Sequence, residues 1–161
     1  NKYSPDALRI LGTSYAASSQ WVKAFYPLSE AVKRNPFDAA LLSILAKAAE
    51  FLDESAIAVQ QYKTLTILEP LRSRHFLHLA RAQRKLEKFS FARTTIKAGI
   101  ELGATIPLVL EWAVIEVEHY KACKNPGEKS EVKAGVEEAV NQLLELSPKH
   151  PAAKTILASL E

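Results

Sequence analysis

The sequence predicts an all-α chain assembled from repeated helical hairpins, and three observations carry that expectation. Landmarks return at an interval of 34 residues: Pro36 and Pro70, then Leu8, Leu42, Phe76 and Leu110, then Leu11, Leu45, Leu79 and Ala113. A fixed period of this length is the mark of stacked supersecondary units. Apolar residues are also spaced as on one face of a helix, as in Leu8, Leu11 and Tyr15, and β-branched runs that would favour strands are scarce.

The units are expected at 5–38, 39–72, 73–106 and 107–150, with a capping helix over 151–161. Pro36 and Pro70 end the helices before them by withholding a backbone donor, while Asp38 and Ser73 stand where N-caps accept hydrogen bonds from free N–H groups. Small residues keep the register as well: Gly12, Ala46 and Ala80 in the first helix of each unit, Ala24, Ala58 and Ala92 in the second. Their role is structural, letting paired helices approach at the short end of the usual range of roughly 8–10 Å. Pro27 falls inside the second helix, where a kink or a late start is expected. The fourth unit must house about ten extra residues between Ala104 and Pro148, so a longer helical pair turning at "NPGEK" (125–129) is expected. "HPAAKTILASLE" then reads as a final helix with a polar side at Lys154 and Glu161, as befits the end of a stack.

Composition bounds the functional classes. With 161 residues, 48% of them hydrophobic and 24% charged, the chain has the make-up of a folded soluble domain. Its longest apolar run, "IPLVLEWAVIEV", is broken by Glu111 and Glu116 and falls short of the roughly 20 apolar residues of a membrane span, so no membrane insertion is expected. There is no methionine, which reads as a piece of a longer protein. The single cysteine, Cys123, excludes an internal disulfide; it favours the cytoplasm weakly, leaves the periplasm open and assigns no compartment. Charge is segregated: residues 1–70 are neutral, 71–97 carry +7 and 98–161 carry −4.

The stretch "LRILGTSYAASSQWVKAFYPLSEAVKRNP" resembles the tetratricopeptide repeat family, whose pattern of large and small residues falls here on Leu8, Leu11, Gly12, Tyr15, Ala24, Leu28, Ala31 and Pro36. Later units depart from the pattern at Ala49 and Leu65, and at Gln83, Gly99 and Ala104. The resemblance covers essentially the whole chain. It implies a right-handed α-solenoid of antiparallel helix pairs, a scaffold or adaptor for protein–protein interaction, and a concave groove lined by the first helix of each pair. It places Arg9 and Thr13, Lys47, Glu50 and Phe51, Arg74, His78, Arg81, Arg84 and Lys85, and Glu111, Ile115 and Glu118 on that wall.

Within "SRHFLHLARAQRKLEKF", Arg74, His78, Arg81 and Lys85 follow one another at four, three and four residues and so form one stripe on a helix. The expected partner is an acidic or carboxylate-bearing protein or peptide, held by charge-assisted hydrogen bonds. Arg9, Lys47 and His78 lend support, with apolar contact from Phe51, Leu77 and Ile115. Arg84 reads as structural, in a ladder with Glu50 and Glu118, whereas Arg74 and Arg81 have no carboxylate in register and are expected to stay unpaired. The clamp by which some arrays of the family hold chaperone tails would fall on Arg9, Thr13, Ile44, Arg74 and His78; both asparagines are absent, which rejects it.

No catalytic group, metal or cofactor is expected. His119 and Cys123 share a helical face, but a zinc site needs three or four ligands and no other is placed in sequence to join them. His75 reads as a packing or surface residue without a nearby nucleophile. Two other functional classes have some footing in the sequence. Phe76, Phe89 and Phe91 among basic residues are a feature of single-strand nucleic-acid binding, opposed by the acidic last third. Self-assembly into homo-oligomers would pair the basic third unit with the acidic end of another copy.

Overall fold

The computed structural model describes residues 4–160, which are helical with short turns and contain no strand. The chain gathers into two compact units, the first ending at Leu71 and the second beginning at Arg72.

In the first unit, α1 (Pro5–Ala17) pairs with α2 (Trp21–Arg34) and α3 (Ala39–Phe51) with α4 (Ser55–Leu68), and α3 also packs on α2 and α1. Ser4 opens α1 by accepting from the Ala7 N–H at 3.1 Å, with Pro5 in the first turn, where its missing donor does no harm. Asp38 opens α3 by accepting from Leu41 N–H at 3.1 Å. Asn35 and Glu69, each directly before a proline, leave the helical region at φ −133°, ψ 78° and φ −130°, ψ 66°, so α2 and α4 stop there.

The first helix of each of the three regular hairpins ends in the same way. The N–H groups of Gln20, Glu54 and Lys88 reach back to the carbonyls of Tyr15, Ala49 and Gln83 at 2.9, 2.8 and 3.0 Å. The residues before them, Ser19, Asp53 and Glu87, sit at φ 55°, 59° and 56°. This is the six-to-one bond of a Schellman turn, held here by residues other than glycine.

Gly12, Ala24, Ala46 and Ala58 are all buried, among Leu8, Leu28, Leu42, Leu45, Tyr62 and Leu65. A Cβ on Gly12 would lie 2.8 Å from Leu28 Cγ and 3.0 Å from the Leu28 backbone nitrogen. Gly12→Ala should therefore lower stability: overpacking costs about 1–3 kcal/mol, of which better helix propensity returns about 1 kcal/mol. A lower urea midpoint with an unchanged slope is the expected reading. Pro27 does not delay its helix. The second helix starts at Trp21 and runs on with Pro27 buried inside it, leaving the Lys23 carbonyl without its usual donor.

The second unit holds α5 (Ser73–Lys85), α6 (Phe89–Glu101), α7 (Ile106–Ala122), α8 (Pro126–Leu146) and α9 (Pro151–Ala158). Each of α5 to α8 packs on the next, the contact of α6 with α7 joining two hairpins, and α7 also touches α5 and α9. The N-cap of α5 is Arg72 rather than Ser73, because the His75 N–H already bonds to the Arg72 carbonyl at 3.0 Å and draws Ser73 into the helix.

The long pair reaches 17 and 21 residues. Its turn is Cys123 to Asn125; "NPGEK" mostly opens α8, with Asn125 Oδ1 accepting from the Gly127 N–H at 2.9 Å. Gly99, where the resembled family carries alanine, is buried, and a Cβ added there would meet Phe76 Cβ at 2.9 Å and Leu108 Cδ2 at 3.2 Å, so the close approach leaves little room for a side chain.

One core joins Ala80, Ala92, Ile96, Leu108, Trp112, Ala113, Ile115 and Ala139; a second joins Val136, Val140, Ala153 and Leu160 under α9. The Tyr120 hydroxyl donates to the Leu160 carbonyl at 3.1 Å and ties the last turn down. Lys154 is exposed on α9; Glu161 lies outside the described residues.

Candidate functional site

The helical period of α5 sets Leu79, Ala80 and Ala82 into the core and leaves Arg74 and Lys85 exposed, with His78 and Arg81 half-buried between them. Leu77 is half-buried as well and packs against the core, so little of it faces solvent. Arg74 Nε lies 3.5 Å from His78 Nε2, at the outer limit of a hydrogen bond.

Arg81 is not unpaired. Its Nε donates to Glu111 Oε2 at 3.0 Å, and Arg84 Nε donates to the other oxygen, Glu111 Oε1, at 2.7 Å. Strict register set Ile115 opposite Arg81; the arginine side chain is long enough to take the carboxylate one turn earlier on α7 instead. Glu111 is 6% exposed, so two guanidinium groups compensate one nearly dry carboxylate. Arg84 also donates through Nη1 to Glu118 Oε1 at 2.6 Å. Burial opposes the charge of Arg84, but the hydrogen bond and proximity of Glu111, joined by Glu118, hold its guanidinium above the ordinary value. On the first unit, Glu50 accepts from the Tyr62 hydroxyl at 3.0 Å.

Ile115 does not belong to any groove. It is fully buried, in the cluster that Ile156 of α9 also joins, and offers no surface to a partner. Arg9, Lys47 and Phe51 are exposed on α1 and α3 of the first unit, with the Phe51 ring 6.1 Å from that of Trp21.

A second polar cluster, on α6, α7 and α8, escaped sequence reading. Glu116 is 1% exposed and receives Arg93 Nε at 2.5 Å, Arg93 Nη2 at 2.6 Å and Trp112 Nε1 at 2.9 Å. That hydrogen bonding to Glu116, against the cost of burial, raises the Arg93 guanidinium above its ordinary value. Arg93 Nη2 also meets His119 Nδ1 at 3.0 Å, the Phe89 ring stacks on the His119 ring, and His119 Nε2 lies 3.2 Å from Glu128 Oε1. Glu128 thus joins His119 and Cys123, a third donor that spacing along α7 could not reveal.

Burial, followed by the nearby Glu128, pushes the Cys123 thiol up from its ordinary value, the opposite of what a thiolate nucleophile requires. His75 is buried at 7% exposure and is a packing residue.

No protein-family model matches the chain, and no curated protein does. Solved structures do. The crystal structure of MamA protein superposes with a TM-score of 0.78 at 12% identity, over 97% of this chain and 80% of that one. The fold is that of the tetratricopeptide repeat. A tetratricopeptide repeat protein from Parabacteroides merdae gives 0.71 at 18% identity, over 99% of this chain and 59% of its own. The second such domain of human RPAP3, solved with the HSP70 peptide SGPTIEEVD, gives 0.59 at 17% identity, over 70% and 98%. The all-α class of helix pairs with a terminal helix is therefore the observed one. At these identities the likeness concerns the fold alone.

Proposed function

We propose that the chain is a non-enzymatic protein-interaction module whose α5 docks an acidic, carboxylate-bearing segment of a partner. The observation that carries this reading is the α5 stripe: Arg74 and Lys85 lie exposed at its two ends, with Arg81 between them held by Glu111 through Nε. An arginine fixed along one edge meets a carboxylate with less ordering cost than a loose one. The first unit presents the same chemistry on its own first helices, at Arg9, Lys47 and Phe51. The RPAP3 domain of the same fold was solved with an HSP70 peptide ending in Glu-Glu-Val-Asp, which supports an acidic tail as the class of ligand. The different residues at the clamp positions here argue for a different tail. Much of the charge that would drive head-to-tail self-assembly is already neutralised inside the second unit, through Arg81, Arg84, Glu111 and Glu118.

The test is fluorescence anisotropy with an acidic nonapeptide ending in a free carboxylate. Arg81 is spared, because a glutamate there would face Glu111 and perturb the fold. Arg74→Glu combined with Lys85→Glu should weaken binding at least tenfold, about 1.4 kcal/mol, with the far-ultraviolet circular dichroism unchanged. Unaltered affinity would remove α5 from the docking surface. A steep collapse of wild-type binding with salt, matched by single-stranded DNA, would favour phosphate recognition instead.

A further inference from the structure

We propose that His119, Cys123 and Glu128 form a binding site for a thiophilic divalent cation of the zinc class, with a fourth position left to water. The site is separate from the α5 face and independent of its reading.

Their donor atoms all lie within 4.8 Å of one another. The placement follows from the hairpin. His119 stands in the last turn of α7, Cys123 caps that helix through its N–H on the His119 carbonyl at 2.9 Å, and Glu128 lies in the first turn of α8. A three-residue turn between two long helices therefore brings nitrogen, sulfur and oxygen to one point. Zinc-type ligand distances of about 2.0–2.3 Å imply donor separations of roughly 3.3–3.8 Å, so the widest pair must close by about 1 Å. Glu128, with 52% of its side chain exposed, has room to make that move, whereas the His119 ring, 13% exposed and stacked on Phe89 at 5.1 Å, is already held.

The mixed sulfur, nitrogen and oxygen set selects against magnesium and calcium, which take oxygen donors. The Cys123 thiol loses its proton to water, and the His119 ring proton, now on Nε2 because Arg93 donates to Nδ1, moves to Nδ1 when Nε2 takes the metal. Arg93 then gives up its contact with His119 and keeps its two bonds to Glu116. The bound ion would pin the end of α7 to the start of α8.

The probe is cobalt(II) titrated into the whole chain, followed by displacement with zinc. The expected result is one equivalent bound with a thiolate-to-cobalt charge-transfer band, bleached by zinc, and a higher melting temperature in its presence. Cys123→Ser should abolish the band. The discriminating variants are Glu128→Gln and His119→Gln, each expected to weaken cobalt binding at least tenfold. Glu128 is exposed, so its variant leaves folding out of the comparison. Absence of the band would mean that the thiol takes no metal, and equal affinity in Glu128→Gln would mean a lone thiol meeting an adventitious ion only; either would overturn the site.

Discussion

Glu116→Leu is expected to destabilise the second unit by about 3–5 kcal/mol, the usual penalty for removing one partner of a buried, hydrogen-bonded charge pair. Glu116 is nearly dry, and it satisfies Arg93 through two bonds and the Trp112 indole through a third. Leucine keeps the bulk but leaves the indole N–H and the guanidinium without an acceptor. Arg93 has a third of its side chain exposed and can turn partly to water, which keeps the effect from growing larger.

The measurement is urea unfolding followed by tryptophan fluorescence in a Trp21→Phe background, where Trp112 reports on its own unit. A double-mutant cycle with Arg93→Leu isolates the pair. Because a dry ion pair is often replaceable by apolar groups at little cost, the double variant should be less destabilised than the sum of the singles by at least about 1 kcal/mol. Additive losses would mean that the effect comes from Trp112 and packing rather than from the ion pair. The same carboxylate explains the small residue facing it: a Cβ added at Gly135 would lie 3.1 Å from Glu116 Cδ, so bulk there would displace the acceptor.

Helix identity and hairpin pairing were legible because each rests on local chemistry that a sequence states directly: apolar spacing, the aspartate cap at Asp38, and the extended residue before Pro36 and Pro70. The turns were less so. Ser19, Asp53 and Glu87 hold a left-handed conformation that usually announces itself through glycine, and of the three only Asp53 is of a type that favours it.

The site was legible as a stripe on one helix but not as a set of contacts. Transfer by a constant 34-residue step treats α7 as an ordinary first helix, yet α9 packs across it and Ile115 disappears into the core. Arg81 meets Glu111 because side-chain reach spans a full turn, which a register of Cα positions ignores. The one available signal for the second cluster was Glu116 itself, a charge on an apolar stretch, which must find a donor; which donor depends on how α6 lies against α7.

Glu111 poses the same question nearer to the proposed docking face. Glu111→Ala removes the acceptor shared by Arg81 and Arg84, and is expected to cost about 2–4 kcal/mol, less than the dry Glu116 pair because Arg81 keeps 41% of its side chain in water and Arg84 retains Glu118. Alanine leaves a space bounded by two guanidinium edges, which is a carboxylate site in miniature. Acetate should therefore restore part of the lost stability, about 1.4 kcal/mol at ten times its dissociation constant, while chloride at equal ionic strength should restore much less, since it cannot bridge both Nε groups. Thermal melts of wild type and variant across an acetate series distinguish the outcomes. A gain that is equal in both proteins, or equal for both salts, would show that Glu111 contributes bulk and general screening rather than a specific bridge between the two arginines.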